Sequence, residues 1–584
     1  MYSHGARPMA DGRVRFALWA PSASQVELEL QDDGLQPMQA QEDGWFVALL
    51  RCPADTRYRY RIDGQWSVPD PASRRQVENV HGFSQVVDHS AYPWRHHEWK
   101  GRPWHETVLY ELHVGLFGGF QQVVEHLPHL ADLGITALQL MPLNAFSGTR
   151  NWGYDGVLPF APANAYGTPD ELKQLIDAAH AYGLMVFVDV VYNHFGPDGN
   201  YLGVYARQFF HEERITPWGA AIDFSRPQVR DFFCENALMW LLDYRVDGLR
   251  LDAVHAIDDD DFLRELAARV RSAMPQQRQV HLVLENEHNA AHLLRDGFDA
   301  QWNDDGHNTL HALLTFENES YYADYAQAPT RKLATCLEQG FVYQGQANRH
   351  GQPRGEPSAD LPPHAFVLFL QNHDQVGNRA FGERLTLLAD VDALKAATVL
   401  LLLCPMVPLL FMGEEWGSKR PFLFFTDYHD ELANAVREGR RNEFADFSQF
   451  NSAHSREAIA DPNAEASFQR SQPDLAPALE PQQREWLAFY RGLLQVRHSR
   501  LLAGLQEARS LGAQVLGDGA VLARWRLGNG PALSIAVNLG TSAVSLPAEA
   551  MHGERLYTLH IDDADLRQGQ LPSRSALVTL EPAR

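Results

Sequence analysis

Cysteine is scarce. The chain of 584 residues has four, Cys52, Cys234, Cys336 and Cys404, far apart and without a CxxC pair. That usage excludes a disulfide framework and predicts reduced thiols in a cytoplasmic protein, with no zinc site built on cysteine. Long apolar runs are missing too. None reaches the ~18 residues of a membrane-spanning helix; the longest candidate, from Ala396 to Met412, is broken by Pro405 and Pro408. Met1-Tyr2-Ser3-His4-Gly5 shows no basic region followed by an apolar one, so no secretion signal is expected. Positive charge is in deficit. With 50 Lys and Arg against 74 Asp and Glu, the formal charge is −24, which argues against nucleic acid or an anionic membrane as partner. Aromatic residues, in contrast, are plentiful. The 13 Trp and 19 Tyr suit stacking on sugar rings, although aromatics also fill cores.

The length calls for more than one domain. Between residues 13 and 90, short alternating strands such as Val14–Trp19, Val26–Leu30, Trp45–Leu49 and Tyr58–Ile62 lie between Asp/Gly turns, the pattern of a small antiparallel sandwich. From about residue 105, apolar strands alternate with helical stretches. Strands run from Val108, Ile135, Leu184, Gly248, Val280, Ala365 and Val407; helices cover Val123–Leu133, Glu171–Tyr182, Val229–Tyr244, Asp261–Met274 and Val391–Leu403. Successive units of this kind imply a parallel sheet covered by helices, and about eight of them fit a (β/α)8 barrel. A doubly wound open sheet is the alternative, and no glycine-rich phosphate loop supports it. After a last helix over Glu485–Ser499, strands at Ala520–Trp525, Ala532–Val537 and Ala576–Leu580 predict a C-terminal antiparallel β domain, drawn as a second sandwich. The expected division is 1–90, 91–500 and 501–584, with an unassigned excursion over 446–480.

In a barrel, chemistry collects where strands end and loops begin. Four strands here end in Asp189-Val-Val-Tyr-Asn193-His194, Arg250-Leu-Asp252-Ala-Val-His255, Glu285-Asn-Glu287 and Asn372-His373-Asp374-Gln375-Val-Gly-Asn378. Side chains alternate across a strand, so Arg250 and Asp252 point the same way, and the guanidinium favours an ionised Asp252. Several carboxylates without a phosphate cradle or metal-ligand spacing suit glycoside cleavage. There an ionised carboxylate attacks and a protonated one of raised pKa serves as acid and base. Asp252 fits the first role. Glu285, closing the apolar run Leu282-Val283-Leu284, fits the second; Glu287 shares its parity and is not excluded by spacing. Binding of a hard cation by these acids is the competing reading.

These four stretches, in this order, resemble the motifs of the α-amylase superfamily, glycoside hydrolase family thirteen. The N-terminal strands likewise resemble the domain attached to isoamylases and branching enzymes. The resemblance implies that Asp252 is the nucleophile, Glu285 the acid/base and Asp374 a third acid holding sugar hydroxyls. It also implies supporting roles for Asn193, His194, Arg250, His255 and His373, a sugar platform at Tyr154 and Asp155, and no metal or organic cofactor. Further stretches, Trp302-Asn-Asp304-Asp305-Gly306-His307, Asn372 to Arg379 with Gln375 and Asn378, and Met412 to Asp427, look like the subgroup that releases trehalose from maltooligosyltrehalose. That likeness adds Asp304, Asp305, His307, Gln375 and Asn378 as substrate contacts, and implies a partner synthase that supplies the substrate. Gly306 departs from the large side chain expected there, and Glu287 from the usual Asp. A glucan branching enzyme is the alternative within the superfamily. The loop over 344–363, rich in Gly, Pro and Arg, precedes the seventh strand and is expected either to shape the trehalose side of the site or to lie on the surface.

Overall fold

The computed structural model describes residues 2–216, 219–445, 447–474 and 480–582. Its centre is a closed barrel of eight parallel strands: Leu109–Leu112 (β1), Ala137–Leu140 (β2), Met185–Val190 (β3), Gly248–Leu251 (β4), His281–Leu284 (β5), Ala300–Trp302 (β6), Phe366–Phe369 (β7) and Val407–Phe411 (β8). Alternation divides each strand between two environments. Leu109, Phe187, Val283, Trp302, Phe369 and Leu409 belong to a packed cluster inside the barrel. Neighbours such as Leu138, Val186, Leu249, Leu282 and Leu368 join the larger core under the surrounding helices. The strands are therefore apolar on both faces, as the run-like sequence pattern requires.

Helix starts follow local chemistry. Thr168 accepts from the Glu171 backbone and Glu171 returns the bond, so this capped helix begins at Pro169 and not at Glu171. Gly134, in the left-handed region, ends the helix Phe120–Leu133 and turns the chain into β2. One strand went unforeseen. β6 is three residues long, too short for a period to show.

Gly248 carries a packing requirement. A Cβ there would land on the Phe187 ring and within 2.8 Å of the His281 carbonyl, so the barrel centre has room for Phe187 only because residue 248 has no side chain. Gly248→Ala is expected to cost ~1–3 kcal/mol by overpacking, read as a lower thermal midpoint that Phe187→Leu recovers in part.

Before the barrel, two antiparallel sheets face each other. One contains Arg13–Trp19 and Trp45–Arg51, the other Val26–Leu30 and Arg57–Ile62. After it, helix Pro481–Val496 leads into a five-stranded antiparallel sheet, with a two-stranded sheet, Val544–Ser545 with Gln570–Leu571, beside it. The 446–480 excursion contains helices Ala453–Arg456 and Glu465–Ser471; Phe450 and Ile459 pack with Phe444 and Ala380 in a small core of their own. Residues 446 and 475–479 of that excursion lie outside the described residues. Among the described residues no helix is long and apolar enough to cross a membrane.

Candidate active site

Strand register builds the site. Asp189 on β3 pairs with Arg250 on β4, and Leu251 on β4 pairs with Leu284 on β5. One step further along, Asp252 and Glu285 stand level on neighbouring strands. The ladder continues through them, with the Asp252 N–H donating to the Val190 carbonyl and the Glu285 N–H to the Leu251 carbonyl, both at 3.0 Å. Adjacent strands lie ~4.8 Å apart, which suits the ~5–5.5 Å carboxyl separation of a retaining glycosidase.

Arg250 lies wholly buried beneath the acids. Its Nη1 reaches both oxygens of Asp189 (3.0 and 2.9 Å) and donates to Asp252 Oδ1 at 2.6 Å; Nη2 stands 3.9 Å from Glu285. The guanidinium also lies 4.4 Å from the centre of the Trp302 ring, so the cation is held by charge on one side and an aromatic face on the other. Burial pushes the Asp189 carboxyl up to about 7 against the pull of Arg250.

Ala253 holds a left-handed backbone conformation, φ 42°, a region costly to a residue with a Cβ. The turn points its N–H at Glu285 Oε2, 2.6 Å away. Burial raises the pKa of Glu285; Arg250 opposes the shift and Asp252 reinforces it. Asp374 behaves oppositely. Burial alone would raise it, but the His373 imidazolium, 3.3 Å away, holds it down at about 2. His373 in turn bonds Glu111 through Nδ1 (2.6 Å) and its backbone N–H (2.8 Å). Burial works against charge on this ring, but Asp374 and Glu111 on its two sides raise its pKa well above the usual histidine value. A fourth acid, Asp304, is pushed up to about 8 by burial and then by Glu285 and Asp374. The site thus contains carboxyls driven in opposite directions, the division of labour that acid–base chemistry at one pH requires.

Above these groups opens a cleft of about 750 Å³, with Asp252, Glu285, Asp304 and Asp374 on its walls. Tyr154 forms part of its floor, its ring stacked on His373 at 5.0 Å and its hydroxyl donating to Asp189 (2.8 Å).

Three family models match parts of the chain: "Carbohydrate-binding module 48 (Isoamylase N-terminal domain)" over residues 3–78, "Alpha amylase, catalytic domain" over 90–214, and a "Domain of unknown function (DUF3459)" over 508–578. A Rhizobium sp. (strain M-11) protein named malto-oligosyltrehalose trehalohydrolase is 38% identical over 605 aligned positions, covering 98% of each chain. The chain belongs to the malto-oligosyltrehalose trehalohydrolase family. A branching enzyme GlgB from Pseudoalteromonas atlantica is 32% identical but matches only 43% of this chain and 39% of its own. Among solved structures, a Salmonella typhimurium protein provisionally named an alpha amylase superposes with a TM-score of 0.93 at 44% identity, both chains covered in full.

In this trehalohydrolase-family cleft, most residues singled out by sequence come together. Tyr154, Asp155, His194, Asp252, His255, Glu285, Asp304, Asp374, Gln375 and Asn378 line it. Asn378 donates to Asp374 at 3.2 Å and Gln375 to Asp304 at 3.4 Å; Asn151 donates to Asp155 at 2.7 Å. His194 Nε2 bonds the Tyr154 carbonyl at 2.9 Å. Arg250 and His373 lie beneath the cleft, and Glu287 is exposed at its rim, 3.9 Å from His255.

Three further residues do not line the cleft. Asn193 is buried at the end of β3. His307 faces inward, stacked on Phe369 at 5.4 Å. Asp305 is fully buried, and both its oxygens are taken by the protein: the backbone N–H groups of Val342 (2.8 Å) and Tyr343 (2.9 Å), Asn289 (2.8 Å), the Tyr325 hydroxyl, and Arg354 at 3.3 Å. Residues 304 to 315 form a helix, so the adjacent acids point to different sides; Asp304 and Asn308, one turn apart, share the cleft face. Gly306 sits in the same buried turn, where a Cβ would meet Leu368 at 2.6 Å, so a large side chain has no room there. Asp305→Ala strands five donors. It is expected to cost ~3–5 kcal/mol, seen as a lower melting temperature. An unchanged melting temperature with a raised KM would make Asp305 a sugar contact instead.

The sequence reading missed Tyr321, Asp324 and Tyr325, which line the cleft from the segment after the Asp304–Thr315 helix. Asn348, Arg349, His350 and Arg354 do so from a hairpin of Gln344–Ala347 and Pro353–Gly355. These residues bring part of the 344–363 loop to the cleft wall, while Gly345 to Ala347 of the same hairpin are exposed. Arg354 pins the hairpin, donating to the Glu287 carbonyl at 3.1 Å.

Proposed function

We propose that this chain hydrolyses the α-1,4-glucosidic bond next to the terminal trehalose of maltooligosyltrehalose, with retention of configuration. The observation carrying this reading is the placement of Asp252 and Glu285 level on neighbouring strands above one buried guanidinium. In the first step Asp252 attacks the anomeric carbon. The C–O bond to trehalose breaks, and Glu285 gives its proton to the departing oxygen, freeing trehalose. In the second, water attacks the glycosyl–Asp252 ester. Glu285 takes a proton from that water, the bond to Asp252 breaks, and the maltooligosaccharide leaves as its α anomer. Asp374 receives sugar hydroxyls as an anion, and Asp304, Gln375 and Asn378 extend that contact. Arg250 keeps Asp252 oriented, and no residue in this scheme calls for a metal or cofactor.

Relatives named for this reaction over most of the chain support it over branching, which would use the same acids but pass the glucan to another chain. A synthase that makes maltooligosyltrehalose is the partner the reaction requires, and four free cysteines favour a reducing, cytoplasmic setting. Incubation with maltooligosyltrehalose is expected to give free trehalose and a maltooligosaccharide. New α-1,6 branches in amylose, without trehalose, would overturn the proposal.

A further inference from the structure

A second cavity, of about 240 Å³, opens beside the active-site cleft, and Tyr321 lines both. Two elements already at the cleft lead into it. The segment carrying Asp374, Gln375 and Asn378 continues to Arg379 and Glu383 on the cavity wall. The helix Asp430–Glu443, whose Arg440 and Glu443 line the cleft, continues to Phe444 and Phe447. The cavity therefore adjoins the cleft, with Tyr321 between them.

Its chemistry is mixed in a particular way. The polar side is locked in place: Arg379 gives two bonds to Glu317 (2.8 and 2.9 Å) and one to Glu383 (3.2 Å), and His311 bonds Glu317 at 2.7 Å. Burial would raise Glu317, but His311 and Arg379 bring its carboxyl down to about 2, so this floor carries fixed charge. The apolar side is aromatic. Tyr321 is 40% exposed with its ring 6.3 Å from Phe447, which with Phe444 and Phe450 lines the cavity. Aromatic faces opposite fixed hydrogen-bonding groups match a pyranose ring, which has apolar C–H faces and a polar hydroxyl edge.

We propose that this cavity is a distal subsite for an α-1,4-glucan segment, the maltooligosyl arm of the substrate. The assignment to that arm rests on the proposed reaction. Trehalose ends the chain after two glucosyl units on its own side, so only the other arm is long enough to leave the cleft. The 446–480 excursion then has a use: Phe447 to Phe450 close one wall of the cavity.

Ser448→Trp, at an exposed wall position, and Phe447→Ala test this with two substrates. With maltopentaosyltrehalose, KM is expected to rise about three- to tenfold at unchanged kcat; with maltosyltrehalose, neither constant should move. An unchanged KM for the long substrate, or an equal rise for both, overturns the proposal. Titration with maltoheptaose and maltotriose separates this claim from the reaction itself. Wild-type protein should bind maltoheptaose several-fold more tightly, and Ser448→Trp should abolish the difference. That pattern in a protein releasing no trehalose would keep the glucan subsite and refute the trehalose-releasing reaction; no chain-length difference in wild-type binding would refute the subsite.

Discussion

Replacing Asp252 by Ala is expected to lower kcat about 10⁴- to 10⁶-fold, the loss typical of removing a covalent nucleophile. The fold should tolerate it. Arg250 keeps both oxygens of Asp189 as partners, so the buried guanidinium is not left without a counter-charge, the situation that makes a broken buried pair so costly. Melting temperature and far-UV circular dichroism should stay near wild type while turnover disappears. Asp252→Asn, which preserves an acceptor for Arg250 Nη1, should be equally inactive, separating nucleophilicity from orientation. Appreciable trehalose release by either variant would refute the proposed covalent step. A wild-type protein that binds glucan and releases no trehalose would instead make a glucan-binding scaffold without this chemistry the better account of the cleft.

Glu285→Gln is expected to cost about 10²- to 10⁴-fold in kcat, the usual worth of a positioned general acid, and to change the pH profile. The first step needs Glu285 protonated. Burial and Asp252 raise its pKa, so wild-type kcat/KM should fall as pH rises through that raised value, and the fall should disappear in the Gln variant. It should persist in Asp304→Asn, although Asp304 is also driven up. Stability should follow the same proton. Between the unfolded pKa of about 4.3 and the higher native value, the folded protein holds a proton that the unfolded chain has lost, so stability falls as pH rises across that interval. Glu285→Gln removes this penalty. The variant should melt above wild type at pH 8, with the difference shrinking as pH falls through the raised native value and gone below about 4.3. Equal melting temperatures at both pH values would mean that Glu285 is not desolvated in the native state.

Much of this site is legible in the sequence because strands impose simple rules. Alternation puts Arg250 and Asp252 on one side, and apolar runs that end in Asp189, Asp252, Glu285 and Asn372-His373-Asp374 mark the ends of β3, β4, β5 and β7. What spacing cannot show is register. That Asp252 stands level with Glu285 depends on the β4–β5 hydrogen bonds, which join residues far apart in sequence. Asp304 and Asp305 show a different limit. Neighbours on a helix point about 100° apart, and nothing in a pair of adjacent acids tells which faces sugar and which holds Val342, Tyr343 and Arg354. Asn193 and His307 look like site residues by motif and turn inward in the fold. Tyr321, Tyr325 and His350 carry no local signal at all. They arrive from a connecting segment and a hairpin whose path is fixed by Asp305 and Arg354, contacts visible only once the chain is folded.

The central claim is that Asp252 and Glu285 act as a retaining pair on the bond next to trehalose, and the anomeric form of the first product tests it most directly. Proton NMR on fresh hydrolysate of maltooligosyltrehalose, recorded before mutarotation, should show trehalose appearing together with the α anomer of the maltooligosaccharide. The β anomer appearing first would contradict it, because inversion places a water between carboxyls about 6.5–9.5 Å apart, not on a covalent ester at Asp252.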